Sequence, residues 1–322
     1  MLESLKRKSP FIKSMAERYG YVKGEMFRKG TRASYGDEHK DKTFYIVGGV
    51  PSGPAGLFAF VRAVFLHASY AKQKGFIPIV DMHNYPNQYQ RENPQHDNVW
   101  EIFFEQPDAY RLCDIKQAKK VILCKPFSRP NYSSSKRLKA KKLHKYIYTL
   151  RSDFKQHIRL SASMQSICQE KYRELIGQDR VLGVLARGSD YTLKKPKYHA
   201  IQPEAEQLIT EARQVMQKYD CNKIFLASED ATIVRKFKTV FGDQLITNQQ
   251  RLYNNNELED VNFLSEIREH NKIDVAKEYL QSIYILSKCP CFIAGYTAGS
   301  LGASLLSDGY EYEHIWDLGT YS

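Results

Sequence analysis

Three predicted strands in the second half of the 322-residue chain end in residues that can bind a phosphorylated ligand. "VLGVLA" is followed by "RGSD", "KIFLA" by "SED", and "CFIAG" by the small residues of "YTAGS". Because the carboxyl ends of parallel strands share one edge of a sheet, we expect these groups to lie together. Arginine matches phosphate oxygens with a planar fork, and a helix start with small residues offers amide N–H groups to an anion. The pattern predicts a site for a nucleotide diphosphate, with donor-binding residues Arg187, Gly188, Ser189, Asp190, Ser228, Glu229, Asp230, Thr297, Ala298, Gly299 and Ser300.

The elements that would position these groups form two successive α/β halves. In the first half, "TFYIVG" (Thr43–Gly48) and "FIPIVD" (Phe76–Asp81) are predicted strands, because β-branched and aromatic residues dominate them. The apolar segment Leu57–Gln73 between them predicts a helix that stops before Gly75. A strand, a helix and a strand in this order form a βαβ unit with parallel strands.

The glycine–proline loop of this unit, Gly49–Gly56, does not fit a dinucleotide-binding loop. Its glycines fail the G-x-G-x-x-G spacing, and Pro51 and Pro54 lack N–H groups where a phosphate would be held. The sequence also contains no GxxxxGK[ST] or HExxH motif. A nicotinamide cofactor, a P-loop and a zinc protease site are therefore disfavoured.

The second half alternates strands and helices in the same way. The apolar residues of Pro203–Tyr219 recur with the spacing of an amphipathic helix, and proline stands at its start. The predicted strands are Val181–Ala186, Lys223–Ser228 and Cys291–Gly295. The other predicted helices are Ala231–Phe241, Asp274–Lys288 and Leu301–Leu306, and Lys136–Gly177 has a basic, helical pattern. The pattern predicts an α/β chain with domains at residues 1–170 and 171–322, the first carrying a basic N-terminal arm.

A long polar and aromatic segment, Met82–Pro107, follows the second predicted strand. Long polar insertions at the carboxyl end of a strand often carry function, and this mixture suits stacking on sugars and recognition of their hydroxyl groups. A surface loop capped by the helix "VWEIFFEQ" is the alternative. The predicted acceptor-side residues are Gly53, Gly56, Asn84, Tyr85, Asp97 and Trp100.

The formal net charge of +12 implies an anionic partner. Basic residues concentrate in Met1–Arg32 and in Ser133–Lys145, which fits docking on acidic lipid headgroups, although solvated helix faces are an alternative. A non-catalytic nucleic-acid-binding protein is a further alternative of a different class, which the absence of RRM, KH and zinc modules disfavours.

Cysteine usage and hydropathy predict a cytoplasmic protein, and the basic segments predict peripheral contact with the inner face of the cell membrane. The six cysteines form no CxxC pair and no zinc-ligand spacing, which is typical of reduced thiols. No apolar run approaches the roughly 20 residues that span a bilayer. No secretory signal is recognised at the N-terminus.

Several motifs together resemble the α-1,6/α-1,2/O-fucosyltransferase superfamily. "VLARGSDY" resembles its strand-end arginine motif, "IFLASED" its acidic strand end, and "YILSKCPCFIAGYTAGS" its last motif. The chain is also similar to bacterial polysaccharide-cluster glycosyltransferases in "RGSDY", "KPKYHAIQP" and "NVWEIFFEQP". The resemblance spans about residues 43–319.

The resemblance implies a GT-B fold, in which two Rossmann-like domains face an inter-domain cleft. It also implies a GDP-sugar donor, usually GDP-fucose, inversion at the anomeric carbon, and no required metal or cofactor. Arg187 would hold the donor diphosphate, Asp190 would orient that arginine or the sugar, and the loop around Thr297 and Ser300 would contact phosphate.

The chain departs from the family at three positions. Leu185 replaces a histidine that contacts the nucleotide, Ser282 stands where an aspartate binds guanine, and Lys195 stands where a carboxylate acts as base. Ser282 and Glu278, one turn earlier, are kept as donor-binding candidates, with Asp274 as a further substitute for the missing aspartate. The sequence leaves open which of these three residues contacts the nucleobase.

Transfer of a sugar needs a base for the acceptor hydroxyl and a group that stabilises the leaving diphosphate. Arg187 and a lysine at 194 or 195 suit the second task. For the first, the sequence leaves five carboxylate or histidine side chains open: Asp81, Asp97, Glu101, Asp190 and His199.

The function predicted is therefore transfer of fucose from GDP-fucose to a glycan or lipid-linked oligosaccharide in bacterial surface polysaccharide synthesis, such as capsule or O-antigen. Another GDP- or UDP-sugar is the alternative donor.

Overall fold

The computed structural model divides the chain into two compact units. The N-terminal unit comprises Met1–Lys136 with Asp153–Ser163, and the C-terminal unit comprises Arg137–Ser152 with Met164–Ser322. The structure describes residues 31–49, 55–85, 87–89, 98–124, 140–188, 195, 197, 199–248, 252–253 and 272–322, with only the backbone of 140–144. The sequence predicted two continuous domains that meet near residue 170, and that boundary stays a prediction.

The N-terminal unit contains a four-stranded sheet with the order β1-β4-β2-β3. β2 pairs in parallel with both β3 and β4, whereas β1 is antiparallel to β4. Its strands are β1 (Thr31–Ala33), β2 (Phe44–Gly48), β3 (Ile77–Asp81) and β4 (Val121–Leu123). Of the predicted N-terminal arm, residues Thr31–Ala33 form an edge strand of this sheet.

The C-terminal unit contains a five-stranded, fully parallel sheet with the order β7-β6-β5-β8-β9. This order corresponds to the first five strands of the doubly wound order 3-2-1-4-5-6. Its strands are β5 (Val181–Leu185), β6 (Lys223–Ala227), β7 (Leu245–Thr247), β8 (Cys291–Gly295) and β9 (Tyr312–Trp316).

Helices connect the strands, as the predicted βαβ units require. They are α1 (Leu57–Gln73), α2 (Trp100–Phe103), α3 (Ala140–His157), α4 (Ala162–Leu175), α5 (Ala205–Lys218), α6 (Ala231–Phe241), α7 (Lys272–Lys288) and α8 (Ala298–Leu306). None of these described helices combines the length and the apolar composition needed to cross a membrane.

Hydrophobic burial explains why the central strands form where the sequence predicts. All five residues of β5 and of β8 are buried, which is typical of parallel strands covered on both faces. On one face Leu208 and Ala212 of α5 belong to the same buried cluster as the strands. On the other face α7 approaches so closely that a Cβ at Gly183 would lie 2.9 Å from Leu286 Cδ2.

The predicted helix in "VWEIFFEQ" is shorter than expected. It runs only from Trp100 to Phe103, because Phe104 is extended and bridges to Leu160 in antiparallel fashion. The aromatic stack of Trp100 on Phe104, with ring centroids 4.5 Å apart, fixes this bend.

Candidate functional site

The C-terminal sheet has its topological switch point between β5 and β8. From β5 the chain continues to β6 on one side, while β8 lies on the other side, paired in register from Leu182↔Cys291 to Leu185↔Ala294. In open α/β sheets ligands bind outside the carboxyl ends of the strands at this point. The loop that begins at Ala186 and the segment that leads into α8 flank it.

Arg187 follows β5 and is held by a carboxylate from the neighbouring strand end. Its Nη1 lies 2.8 Å from Glu229 Oε1, with 25% of the arginine side chain and 13% of the glutamate side chain exposed. The ion pair orients the guanidinium. Because a quarter of the Arg187 side chain is exposed, an anion can approach it from solvent. The sequence predicted Asp190 for this orienting task, but Ser189, Asp190 and Lys194 lie outside the described residues.

Beside this ion pair, the backbone of Gly188 lies close to the side chain of Asp230. A Cβ at Gly188 would lie 2.2 Å from Asp230 Oδ2 and 2.8 Å from its Cβ, so only glycine fits. Asp230 is 5% exposed, and its Oδ1 accepts from the amides of Thr232 at 2.8 Å and Ile233 at 3.1 Å. Its own N–H donates to Ser228 Oγ at 3.2 Å. Two of the predicted donor residues, Ser228 and Asp230, therefore build the N-terminus of α6.

Thr297 and Ser300 cap α8 reciprocally. Thr297 Oγ1 accepts from Ser300 N–H at 3.0 Å, and Thr297 N–H donates to Ser300 Oγ at 2.8 Å. The amides of Ala298 and Gly299 occupy the first helical positions, which have no acceptor within an α-helix. Together with the helix dipole they provide a place for an anion.

Ser282 does not present its hydroxyl to a ligand. It is fully buried, its Oγ donates to Glu278 O at 3.1 Å, and it accepts from Asn248 Nδ2 at 3.1 Å. The side chain of Glu278 is half-buried. A guanine contact at Ser282 thus has no exposed surface in this structure to support it.

Two further residues shape the strand ends, and the sequence analysis did not single them out. Gln202 Nε2 donates to Ala200 O at 3.1 Å and Tyr296 O at 3.3 Å. Its Oε1 lies 2.1 Å from where a Cβ of Gly295 would stand. The signal for Gln202 was its place in "HAIQP".

Tyr279 of α7 is the second such residue. Its hydroxyl lies 2.0 Å from the position of a Cβ at Gly299, so Tyr279 packs directly against the start of α8. No local pattern marks Tyr279, because the contact joins two separate helices.

The described residues 199–201, ahead of α5, run beside residues 319–321. His199 has an exposed side chain, and its carbonyl accepts from Tyr321 N–H at 3.0 Å. Lys195 has a φ of 41°, in the left-handed region that costs a residue with a Cβ about 1 kcal/mol or more.

In the N-terminal unit, Asp81 ends β3 and closes a turn. It is 5% exposed, and its Oδ1 accepts from the amides of His83 at 3.0 Å and Asn84 at 2.8 Å. Asn84 Nδ2 donates to Oδ2 at 2.9 Å, while the asparagine itself remains exposed. Burial raises the pKa of Asp81, although the hydrogen bonds from Asn84 and His83 counteract part of that effect.

The remaining predicted acceptor-side residues have different environments. Tyr85 and Trp100 are 4% and 0% exposed, so their rings pack in the core and have no free face for a sugar. Gly56 precedes α1, and nothing lies within 4 Å of the position of its Cβ. Gly53 and Asp97 lie outside the described residues.

Glu101, a predicted base, is engaged within its own segment. Its Oε1 accepts from Gln106 Nε2 at 2.8 Å. Within the described ranges, no group of three or more His, Cys, Asp or Glu side chains is arranged to hold a metal ion, and metal independence stays a prediction.

No protein-family model and no curated protein matches the chain. Among solved structures, POFUT1 in its apo form matches with a TM-score of 0.50 and 8% identity, covering 87% of this chain and 99% of that chain. The NodZ α-1,6-fucosyltransferase soaked with GDP-fucose matches with a TM-score of 0.47 and 16% identity, covering 83% and 93%. A mutant of Arabidopsis thaliana FUT1 with GDP matches with a TM-score of 0.48 and 9% identity, covering 94% and 78%.

These identities show a shared fold alone. The likeness to POFUT1 agrees with the predicted resemblance to fucosyltransferases and confirms the α/β class with two sheets of mainly parallel strands. The predicted cleft between the domains stays a prediction. The chain therefore has the fold of POFUT1, an α/β fold of the GT-B type.

Proposed function

We propose that the chain is a glycosyltransferase that takes its sugar from a nucleotide donor, GDP-fucose. The observation that carries this proposal is the switch point of the C-terminal sheet, where Arg187 and the start of α8 flank the ends of β5 and β8. A cationic fork and helix amides at one switch point suit a diphosphate. The strand-end motifs that resemble the fucosyltransferase superfamily support the same donor.

In the proposed reaction the acceptor hydroxyl attacks the anomeric carbon as the bond from that carbon to the diphosphate oxygen breaks. The configuration at the carbon inverts, because attack and departure take place on opposite faces. Arg187 and the amides of Ala298 and Gly299 stabilise the negative charge that develops on the leaving diphosphate. This arrangement provides the positive field that a metal ion supplies in other enzymes, which supports metal-independent transfer.

The proton of the acceptor hydroxyl needs a base, and the candidates remain Asp81, Asp97, Glu101, Asp190 and His199. Burial raises the pKa of Asp81, which makes its carboxylate a stronger base when ionised. Its oxygens are also used by three N–H donors of the turn, which limits its freedom to reorient.

The acceptor we propose is a growing glycan or lipid-linked oligosaccharide of a bacterial surface polysaccharide. The basic segments Met1–Arg32 and Ser133–Lys145 would then hold the protein at the inner membrane face by contact with acidic headgroups. This docking is tested by sedimentation with vesicles of neutral and of anionic lipid, where binding to neutral vesicles alone would contradict it.

A thermal-shift experiment with GDP, UDP, CDP and their sugars tests the donor. A ligand at about 100 times its Kd stabilises the native state by about 2.7 kcal/mol, so GDP should raise the melting temperature measurably. Arg187→Ala should weaken GDP binding about 30-fold or more, since it removes one partner of a charge pair and the proposed diphosphate contact. Release of GDP from GDP-fucose in the presence of a glycan acceptor is the matching activity measurement.

Arg180→Ala is the matched control. It removes the same side chain from the opposite end of β5, where Arg180 pairs with Glu311 at the surface, and GDP binding should be unchanged. Stabilisation by UDP but not GDP would exclude GDP-fucose and leave another nucleotide sugar. Salt-sensitive binding of RNA without any response to nucleotides would instead favour a nucleic-acid-binding protein, which the net charge of +12 permits.

A further inference from the structure

A pocket of about 940 Å³ lies in the flank of the N-terminal unit. Three separate segments form its walls: the last turns of α1, the chain around residues 101–111, and the chain around residues 153–162. A volume of this size is at the upper end of those that hold a small organic ligand. None of the donor-binding residues that the structure describes lines it.

The pocket is distinct from the turn that carries Asp81 and Asn84. α1 connects the carboxyl end of β2 to the amino end of β3, so its last turns, with Ser69 and Lys72, lie towards the amino end of β3. Asp81 ends the same strand at its carboxyl end. Among the predicted site residues that fall within the described ranges, only Glu101 also lines the pocket.

The walls are nearly neutral, although the chain is strongly basic. Lys72, Arg111 and Arg159 carry three positive charges against four carboxylates, which gives a net charge of −1 with His157 neutral. The whole chain carries +12. The four carboxylates that line the pocket are Glu101, Glu105, Asp108 and Asp153. A nucleotide or an acidic headgroup would gain little from such a surface.

Two cations that line the pocket form ion pairs with two carboxylates that also line it. Lys72 contacts Asp108, and Arg159 Nε lies 2.7 Å from Glu105 Oε2. Ser69 Oγ donates to Asp153 Oδ2 at 2.9 Å. A hydroxyl group both donates and accepts, so neighbouring hydroxyls of one molecule can bridge such a donor and acceptor together.

The side of the pocket next to β3 is held in place because the side chain of Gln106 hydrogen-bonds to the backbone of that strand. β3 is an edge strand, and Gln106 pairs with its backbone: Oε1 accepts from Val80 N–H at 2.8 Å and Nε2 donates to Val80 O at 3.1 Å. Gln106 also holds Glu101, which faces the pocket. Gln106 is the glutamine of "EQP" in the motif "NVWEIFFEQP". Its hydrogen bonds hold the wall in one geometry, which lowers the conformational entropy lost on binding.

His157 lines the pocket and is itself almost fully buried. The residue is 4% exposed, and its Nε2 lies 3.4 Å from Asp153 Oδ1. Its buried Nδ1 has no hydrogen-bond partner within the described part of the chain.

We propose that this pocket binds a neutral saccharide of about disaccharide size. The near-neutral walls, the paired donors and acceptors and the wall that Gln106 holds in place all favour a polyhydroxylated, uncharged ligand. That this saccharide is a non-reacting part of the glycan acceptor rests on the proposed glycosyl transfer. The binding itself does not depend on it.

Ligand-observed NMR and calorimetry with the full-length protein test the pocket. The probes are maltose, cellobiose, lactose and N,N′-diacetylchitobiose, with a sulfated disaccharide as the charged comparison. We expect at least one neutral disaccharide to bind and the sulfated one to bind more weakly. Lys72→Gln and Asp153→Asn should each raise the Kd about fivefold or more, which corresponds to the loss of one hydrogen bond.

Lys119→Gln and Asp37→Asn are the matched controls. They change the same residue types in an exposed ion pair of the same unit, with 2.7 Å between Lys119 Nζ and Asp37 Oδ1, and they do not line the pocket. Both controls should leave the Kd unchanged. A melting curve for each variant separates lost binding from lost folding.

Three results would overturn the proposal: no binding of any neutral probe, equal effects of pocket and control variants, or tighter binding of the sulfated probe. The GDP thermal shift should be the same in all four variants. Saccharide binding without any GDP response would therefore disprove the donor while leaving this site intact, and the reverse result would do the opposite.

Discussion

The carboxyl ends of the central strands of the two sheets have similar topology but different surroundings. Each sheet has a central strand with parallel neighbours on both sides, β2 in the N-terminal unit and β5 in the C-terminal unit. At the end of β2, Gly48 is packed against an aromatic ring and a thiol, and its partner on β3 is the buried Asp81. A Cβ at Gly48 would lie 1.9 Å from the Tyr85 ring, and Cys124 Sγ donates to Gly48 O at 3.1 Å.

At the end of β5 the corresponding residues are polar and partly exposed. Arg187 and Glu229 form an ion pair there, and Gly188 lies against the carboxylate of Asp230 instead of an aromatic ring. Burial raises the pKa of the Cys124 thiol to about 12, so that group stays neutral in the N-terminal unit. The comparison shows that topology decides where a site can lie, while the residues at the strand ends decide whether there is one.

The largest effects are expected from adding a methyl group at the two close approaches. Gly48→Ala collides with the buried Tyr85 ring, and Gly188→Ala collides with Asp230, whose position the α6 cap holds. Each should lower the free energy of unfolding by about 1–3 kcal/mol, measured by urea denaturation. Only Gly188→Ala should also weaken GDP binding. Equal loss of GDP binding in both variants would break the comparison.

A moderate effect is expected at the cap that supports the C-terminal edge. Asp230→Ala removes the acceptor for the amides of Thr232 and Ile233 and should cost about 1 kcal/mol of stability. Asp230→Asn keeps one amide-accepting oxygen and should recover most of that loss. If both variants are as stable as the parent protein in thermal denaturation, the cap does not hold the edge in place.

A smaller, pH-dependent effect is expected from Asp81, because hydrogen bonds offset part of its burial. The raised pKa means that the folded state binds the proton more tightly than the unfolded state. Its contribution to stability is therefore complete below the ordinary value of 3.8 and is lost as the pH rises through the higher folded-state pKa.

Urea denaturation of the parent protein and of Asp81→Asn across this pH range measures that contribution. The parent should lose stability relative to the variant as the pH rises. Parallel pH dependences would show that the environment of Asp81 does not favour its protonated form.

The smallest effect is expected at the start of α1. Gly56 has an extended conformation, with φ −68° and ψ 161°, and gives the helix no side-chain cap. Gly56→Ser adds one without a steric conflict and should raise stability by a few tenths of a kcal/mol, detectable as a higher melting temperature. Gly56→Ala, which adds no cap, is the control. A lower melting temperature for the serine variant would contradict the open space around this residue.

Elements with strong local patterns were predicted closely. The helices Leu57–Gln73 and Ala231–Phe241 and the strand Cys291–Gly295 have the bounds that the sequence indicated. Long apolar periodicity and clear start and stop residues determine such elements locally. The strands β1, β4, β7 and β9 were missed. β1, β4 and β7 have three residues each and carry no periodicity, and β9, with mostly half-buried residues, is defined by its pairing with β8.

Aromatic residues in a polar segment were the least predictable part of the candidate site. Tyr85 and Trp100 suggested sugar stacking, but both rings lie in the core. Their local sequence is polar, so burial depends on how the segment folds back over β3. Glu229 was assigned to the donor on its position at a strand end, and the structure adds its ion pair with Arg187.

The sequence by itself determined the succession of strands and helices and the polar residues that end β5, β6 and β8, since both depend on neighbours within a few positions. Only the tertiary structure decided which distant residues come into contact. Arg187 pairs with Glu229, Gln202 lies against Gly295, and three distant segments surround the pocket of the N-terminal unit. These contacts join residues far apart in the chain, and their geometry follows from how whole elements pack, which no local pattern encodes.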